Sequence, residues 1–523
     1  MILNLTLRFF RCKNSRVVCG RFLSQASTSQ NVELKPRENY KPVIGLELHV
    51  QLSCRTKLFS RTPVLREGDE AGPNRLVGAF DMATPGTLPR LNKKAVMLAL
   101  QMARLFKCEI PERSRFDRKH YFYADMPAGY QITQHDMPVA KNGVVKFHVY
   151  AEDMEPYEKS VRITQLQLEQ DSGKTIHVGN RSLIDYNRAG IALVEIVTEP
   201  DFETALEAEC FVEQLRLQLM HYGICEGELH RGHLRTDANV SLSEDDGKMG
   251  VRTEIKNIQS LRNLHTAINF EIDRQYRILA AGGVVQNETR ATDMDGRTVP
   301  MRDKEEETDY RFMVEPNLPM IKINPEWLYE IDKGLSSSQP RYMELISKYG
   351  FPARRAVYYA ENPLMSAFVA MCESRLPRIR PEDFVKWLYE LKDALKRTKV
   401  EFPPQSQFFA DQFMTIVEYV GQDKITNLLA MDLLRAYANQ LEIRTAEQWI
   451  TEESLWKMKD LQEIERTLNS ILEKNQKLKA KVLTGSRKGI SELARTLVAE
   501  CRKRIDRDEA DKIVEHKLKT LIK

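Results

Sequence analysis

The chain has 523 residues, 42% of them hydrophobic, which is enough to build roughly three cores of about 150 residues each. Its 78 basic residues face 74 acidic ones, for a net charge of +4, so overall charge assigns no partner. No run of eighteen apolar residues occurs, and no membrane-spanning helix is expected. The eight cysteines include no C-x-x-C pair and none stands at zinc-finger spacing from a histidine. They read as free thiols in a reducing compartment.

Residues 1–32 differ in kind from the rest. They carry Arg8, Arg11, Lys13, Arg16 and Arg21, serines at Ser24, Ser27 and Ser29, and no acid before Glu33. That composition predicts a mitochondrial transit peptide. From about Tyr40 to about Glu330 strands and helices alternate. Val43–Leu52, Val161–Gln170, Leu234–Leu242 and Val251–Lys256 show period-two alternation. Asn92 is placed to cap a helix through Phe106, and a second helix is expected from near Asn263 to Ala281. Beyond about Pro340 helical spacing takes over. Phe384, Trp387, Leu388, Leu391 and Leu395 form one apolar stripe, ended by Pro403–Pro404. Further helices are expected over 410–438 and from Ile490 to Ile505, with Asp508 capping a last one.

Four segments carry the candidate chemistry. On a strand from Val43, Glu47 and His49 lie side by side, about 7 Å apart, opposite Ile44, Leu46, Leu48 and Val50. Gln165, Gln167 and Glu169 share one face of a second strand, before Gln170 and Asp171 enter a turn. Gly173-Lys-Thr175 is no phosphate loop, because that motif needs a glycine where Leu168 stands. Ile191–Val197 is an almost continuous apolar run interrupted by Glu195, whose carboxylate then requires a metal, a cation or a proton. Arg235, Asp237 and Asn239 share a fourth face: arginine can grip phosphate, while Asp and Asn suit magnesium or ribose. Glu47, His49, Glu169 and Glu195 together form a hard-ligand set, which points to Mg²⁺ or Mn²⁺.

Eight blocks over about 280 residues then resemble one family. They are VIGLELHVQL from Val43, FDRKHYFYADMPAGYQITQ from Phe116, ITQLQLEQDSGK from Ile163 and SLIDYNRAGIALVEIVTEPD from Ser182. LRTDANVSL follows from Leu234, VRTEIKNIQS from Val251, GGVVQNETR from Gly282 and MRDKEEETDYRFMVEPNLP from Met301. The chain resembles the B-type subunit of the tRNA-dependent amidotransferase that makes glutaminyl-tRNA(Gln), and LTGSRKGISELARTLV looks like that family's YqeY-like tail.

The resemblance implies an α+β protein: a mixed α/β cradle over 36–330, a helical domain over 335–440 and a YqeY-like, tRNA-contacting tail over 441–523. It implies an enzyme that uses ATP and Mg²⁺ (or Mn²⁺) to phosphorylate the γ-carboxylate of glutamate carried on tRNA(Gln). Ammonia comes from a partner amidase, the A-type subunit. A small C-type subunit clasps the two into a heterotrimer, in the mitochondrial matrix. No Gly/Ser-rich amidase loop or cysteine–histidine amidase pattern occurs in this chain, so the ammonia source is expected to be another chain. Residue by residue, the resemblance implies metal ligation by Glu47, His49, Glu169 and Glu195 and catalytic roles for Lys119, Glu169 and Gln170. Arg118, Tyr121, Tyr123, Arg235, Asp237, Asn239, Lys256 and Asn257 would contact ATP or substrate. Gln170 stands where bacterial members carry an acid, and Ala124 replaces a common proline. The alternative is a tRNA-binding scaffold without chemistry; the buried acids favour the enzyme. From Lys474 to Lys523 fifteen basic residues face seven acidic ones. Lys481, Arg487, Lys488, Arg495, Arg502 and Lys503 are therefore candidate contacts to tRNA phosphates.

Overall fold

The computed structural model describes residues 39–521, apart from 66–70, 153, 245–247, 259, 294, 304–308, 397–399 and 485. The leader at 1–32, with Cys12 and Cys19, lies outside the described residues. The other cysteines are buried free thiols.

Alternating sequence builds the first part. It runs β1 (Tyr40–Gln51), α1 (Lys93–Leu105), β2 (Arg113–Ser114), β3 (Asp117–His120), β4 (Tyr130–Thr133), β5 (Ala140–Val149) and β6 (Tyr157–Gln170). Asn92 caps α1 by accepting from the Lys94 amide. A separate hairpin, β7 (Lys174–Val178) and β8 (Arg181–Asp185), takes up the Gly-Lys-Thr segment as a strand. Then come β9 (Ala192–Thr198), α2 (Ala205–His221), β10 (Leu234–Glu244), β11 (Thr253–Ile258) and α3 (Leu261–Ala280). Ser260 caps α3, so this helix starts slightly earlier than its apolar spacing implied. The strands β12 (Glu288–Thr292), β13 (Thr298–Asp303), β14 (Met313–Val314) and β15 (Ile321–Lys322) complete the part.

Eight of these strands form one sheet in the order β13-β12-β11-β10-β1-β9-β6-β5. All neighbours are antiparallel except β11 and β12. Strand β1 is central because both its edges are paired, to β10 and to β9. Ile44, Leu46, Leu48 and Val50 are buried on the face that α1, α2 and α3 cover. The opposite face of β1 is polar.

The helical part comprises α4 (Pro325–Ser336), α5 (Arg341–Tyr349), α6 (Ala353–Glu361), α7 (Pro363–Cys372), α8 (Pro381–Leu395), α9 (Gln407–Gly421), α10 (Asn427–Ala438) and α11 (Ala446–Glu452). The predicted stripe on α8 is wholly buried, and each such side chain contributes about 1.5–3 kcal/mol. The helix expected over 410–438 is in fact two. The chain turns at Asp423, where φ is +54°, and Thr426 caps α10, which an apolar count alone does not register. The cradle sheet and these helices share one apolar core, which reaches as far as Leu455.

A second core begins at Met458 and joins α12 (Leu461–Lys474), α13 (Gln476–Leu483), α14 (Arg487–Glu500) and α15 (Arg507–Leu521). Asp508 lies in the first turn of α15 and does not precede it. Lys457 fastens this unit to the helices before it. Its ammonium is nearly buried and meets Asp423 at 2.8 Å, Asp506 at 2.7 Å and Glu509 at 3.2 Å. Removing it leaves three carboxylates facing one another. Lys457→Ala should therefore destabilise the tail by about 1–3 kcal/mol, discounted because the acids are partly solvated. Limited proteolysis should release a fragment at the 453–460 junction faster than from the parent chain.

Candidate active site

The site is the polar face of β6, β9, β1 and β10. Antiparallel register sets His49 opposite Glu195 on one side and Arg235 on the other, and Gln167 opposite Glu195. Alternation then aims Glu169, Glu195 and His49 into one space. One ligand atom from each lies within 4.8 Å of the others. His49 Nε2 is 3.3 Å from Glu169 Oε1. Gln167 Nε2 donates to the Glu195 carboxylate, and Thr133 Oγ1 donates to Glu169 at 3.3 Å.

Electrostatics make the group incomplete. Burial alone would lower the His49 pKa, but its hydrogen bond to Glu169 and the charges of Glu169 and Glu195 raise it to about 9. Burial likewise opposes ionisation of Glu169, but the His49 hydrogen bond and positive charge win, and its pKa falls below the usual carboxylate range. Glu195 is pushed the other way, by burial and then by the negative charge of Glu169. Two carboxylates served by one imidazolium leave negative charge uncompensated, and a divalent cation in place of the imidazole proton would settle it. Three N and O donors of this kind fit Mg²⁺ or Mn²⁺.

A cavity of about 500 Å³ opens beside this group, lined by His49, Lys119, Tyr121, Tyr123, Glu169, Arg235, Lys256 and Asn257. Lys119 Nζ lies 4.6 Å from the centre of the Tyr310 ring, and the rings of Tyr121 and Tyr123 stand 4.5 Å apart. Arg235 pairs with the buried Asp171 at 3.0 Å, and Lys256 pairs with Asp237 at 3.0 Å. Asp171, Gln131 and Tyr310 line the cavity too, although sequence reasoning gave them no role. Asp171 adjoins the Glu169 strand, and the visible signal was its place just before a turn.

Some expected residues stand elsewhere. Arg118 neighbours Lys119 on β3 and so points to the other face, where it grips Glu315 at 2.6 and 3.1 Å and covers the Tyr130 ring. Glu47 and Asn239 are absent from this cavity's lining and line another. Gln170 ends β6 on the face opposite Glu169. It borders a second cavity, of about 280 Å³, that shares Met126 and Asp171 with the first. Beside it the fully buried Lys57 meets Asp81 at 3.2 Å. In the tail, Lys481, Arg487, Lys488 and Arg495 are exposed. Arg502 and Lys503 instead pair with Glu453 and Asp432 of the preceding helices.

This architecture, a basic cavity against a buried His–Glu–Glu group on one sheet face, defines a phosphoryl- or acyl-transferring catalytic subunit. The family description "GatB/GatE catalytic domain" matches residues 42–329, and "GatB domain" matches residues 372–518. The chain is 36% identical to the B-type subunit of the mitochondrial glutamyl-tRNA(Gln) amidotransferase of Aedes aegypti, over 92% of its length and 93% of that relative. It is 37% identical to the Danio rerio protein of the same name, over 88% and 86% of the two chains. It is 34% identical to the B-type subunit of the aspartyl/glutamyl-tRNA(Asn/Gln) amidotransferase of Thermotoga maritima, over 86% and 93%. The chain belongs to the GatB family of amidotransferase subunits and is one component of a tRNA-dependent amidotransferase.

A metal held by His49, Glu169 and Glu195 must displace the imidazole proton. Mn²⁺ affinity, followed by electron paramagnetic resonance, should therefore weaken as pH falls below about 9, by up to about tenfold per pH unit. A pH-independent affinity would remove His49 from the ligand set.

Proposed function

We propose that this chain transfers the γ-phosphoryl group of ATP to the γ-carboxylate of glutamate carried on tRNA(Gln), and that ammonia from a partner amidase then displaces the phosphate. The observation that carries the reading is the His49–Glu169–Glu195 group set against a cavity rich in cations. In the first step a γ-carboxylate oxygen bonds to the γ-phosphorus and the bond to ADP breaks. In the second, ammonia attacks the acyl carbon, phosphate departs and nitrogen gives up a proton.

Lys119, Arg235 and Lys256 supply positive charge where phosphoryl oxygens gain negative charge, and their own pairing to fixed neighbours holds them in place. Asp171 orients Arg235 from a buried position. Tyr121, Tyr123 and Asn257 bound the space in which the nucleotide is held. A bound divalent cation would neutralise charge on the transferring group. The cavity behind the site, with Gln170 and the Lys57–Asp81 pair at its walls, supports arrival of ammonia from that side. Gln170 offers hydrogen bonds there but no charge, so in this chain a proton from ammonium must go elsewhere.

We further take residues 36–330 as the catalytic unit, 335–440 as a helical unit and 441–523 as the tRNA-contacting tail. The partners would be an amidase and a small clasping protein. The basic leader and the mitochondrial relatives support residence in the mitochondrion, with the matrix as the compartment.

Two experiments test this. In the assembled enzyme, His49→Ala or Glu195→Gln should lower ATP-dependent amidation of Glu-tRNA(Gln) at least a hundredfold while glutamine hydrolysis persists. Near-normal amidation by the double variant would refute the assignment. Neutralising Lys481, Arg487, Lys488 and Arg495 should reduce the slope of log affinity against log salt by somewhat under one unit for each phosphate no longer touched. An unchanged slope would place tRNA on another surface.

A further inference from the structure

Glu47 shares its strand face with His49, about 7 Å away along β1, yet it stands outside the three residues whose ligand atoms converge within 4.8 Å. Its hydrogen-bond partner is Asn239, whose Nδ2 donates to Glu47 Oε1 at 2.9 Å. No ion pair among the described residues includes it. Asn239 Oδ1 is shut off from water and accepts no hydrogen bond. Both residues line a cavity of about 270 Å³ that also has Val197 and Met249 in its walls. The two cavities on this face therefore differ in character. The larger presents Lys119, Arg235 and Lys256 and suits phosphates; the smaller presents a carboxylate and an amide oxygen and suits N–H donors.

We propose that Glu47, steadied by Asn239, is the residue that recognises the α-amino group of the glutamyl moiety, a specificity role distinct from metal ligation. The inference rests on the function proposed above, in which the γ-carboxylate must lie beside His49, Glu169 and Glu195. In an extended glutamyl group the α-nitrogen lies about 5 Å from the γ-carboxyl carbon. That span matches the step along β1 from His49 to Glu47. Val197 and Met249 then offer apolar contact to the methylenes between. A carboxylate acceptor gives a charge-assisted hydrogen bond to the amine, and losing one such bond costs roughly ten- to a hundredfold in binding.

The test compares Glu-tRNA(Gln) with the same tRNA acetylated on the glutamyl nitrogen. Binding of each to the assembled enzyme is measured without ATP, for the parent and for Glu47→Gln. The parent should prefer the free amine by roughly ten- to a hundredfold. Glu47→Gln should lose that preference and keep its Mn²⁺ affinity within about threefold, with Glu47→Asp restoring part of the preference. An undiminished preference in Glu47→Gln would overturn the assignment. So would loss of Mn²⁺ binding in that variant, since Glu47 would then be a metal ligand. The binding readout does not pass through phosphoryl transfer, so a failure of the proposed chemistry would appear separately, as absent ATP-dependent amidation in the parent.

Discussion

The rest of the molecule depends on one electrostatic arrangement: Glu169 and Glu195 held beside a single imidazole, away from water, on the polar face of adjacent antiparallel strands. Two carboxylates in such a place repel one another and lack solvation. They persist because the backbone ladder fixes their positions and because Gln167, Thr133 and His49 donate toward them. The net demand for positive charge makes the site receptive to a metal and turns the neighbouring cations toward it. A sheet with fewer paired neighbours around β1 and β9 would give these groups freedom to separate.

The surroundings are ordered by the same logic. Lys119 and Arg235 stabilise the carboxylates while facing a cavity large enough for a nucleotide. Asp171 and Asp237 in turn hold Arg235 and Lys256, so cations and anions alternate across the face. Such alternation fixes side-chain directions before any ligand arrives, which is the condition for electrostatic preorganisation. Arg118 shows the consequence of the opposite orientation: one step along β3 from Lys119, it serves the fold through Glu315.

The tail is joined by charge as well as by apolar contact. Lys457 with three acids, Arg502 with Glu453 and Lys503 with Asp432 tie the second core to the helices that share the cradle's core. The basic count of the tail therefore divides into residues that hold it in place and residues left on its surface. A fixed tail can present those remaining charges at a set distance from the catalytic face, which a flexible one could not.

Sequence alone determined the elements and their faces. Period two in Val43–Gln51 and Val161–Gln170, the acid at Glu195 within an apolar run, and the stripe on α8 are local properties set by 180° and 100° of rotation per residue. The family's eight blocks added the expected chemistry. Tertiary structure decided which faces meet. Register between β6, β9 and β1 brings Glu169, Glu195 and His49 together and leaves Glu47 one step away, although all four had equal claims in the sequence. Pairing across long separations also decided that Arg118 meets Glu315 and that Lys503 meets Asp432. Periodicity tells which way a side chain points from its own strand. Only the sheet's register and the packing of distant segments tell what stands opposite it, because those contacts are set by the summed burial of the whole core and not by neighbours in the chain.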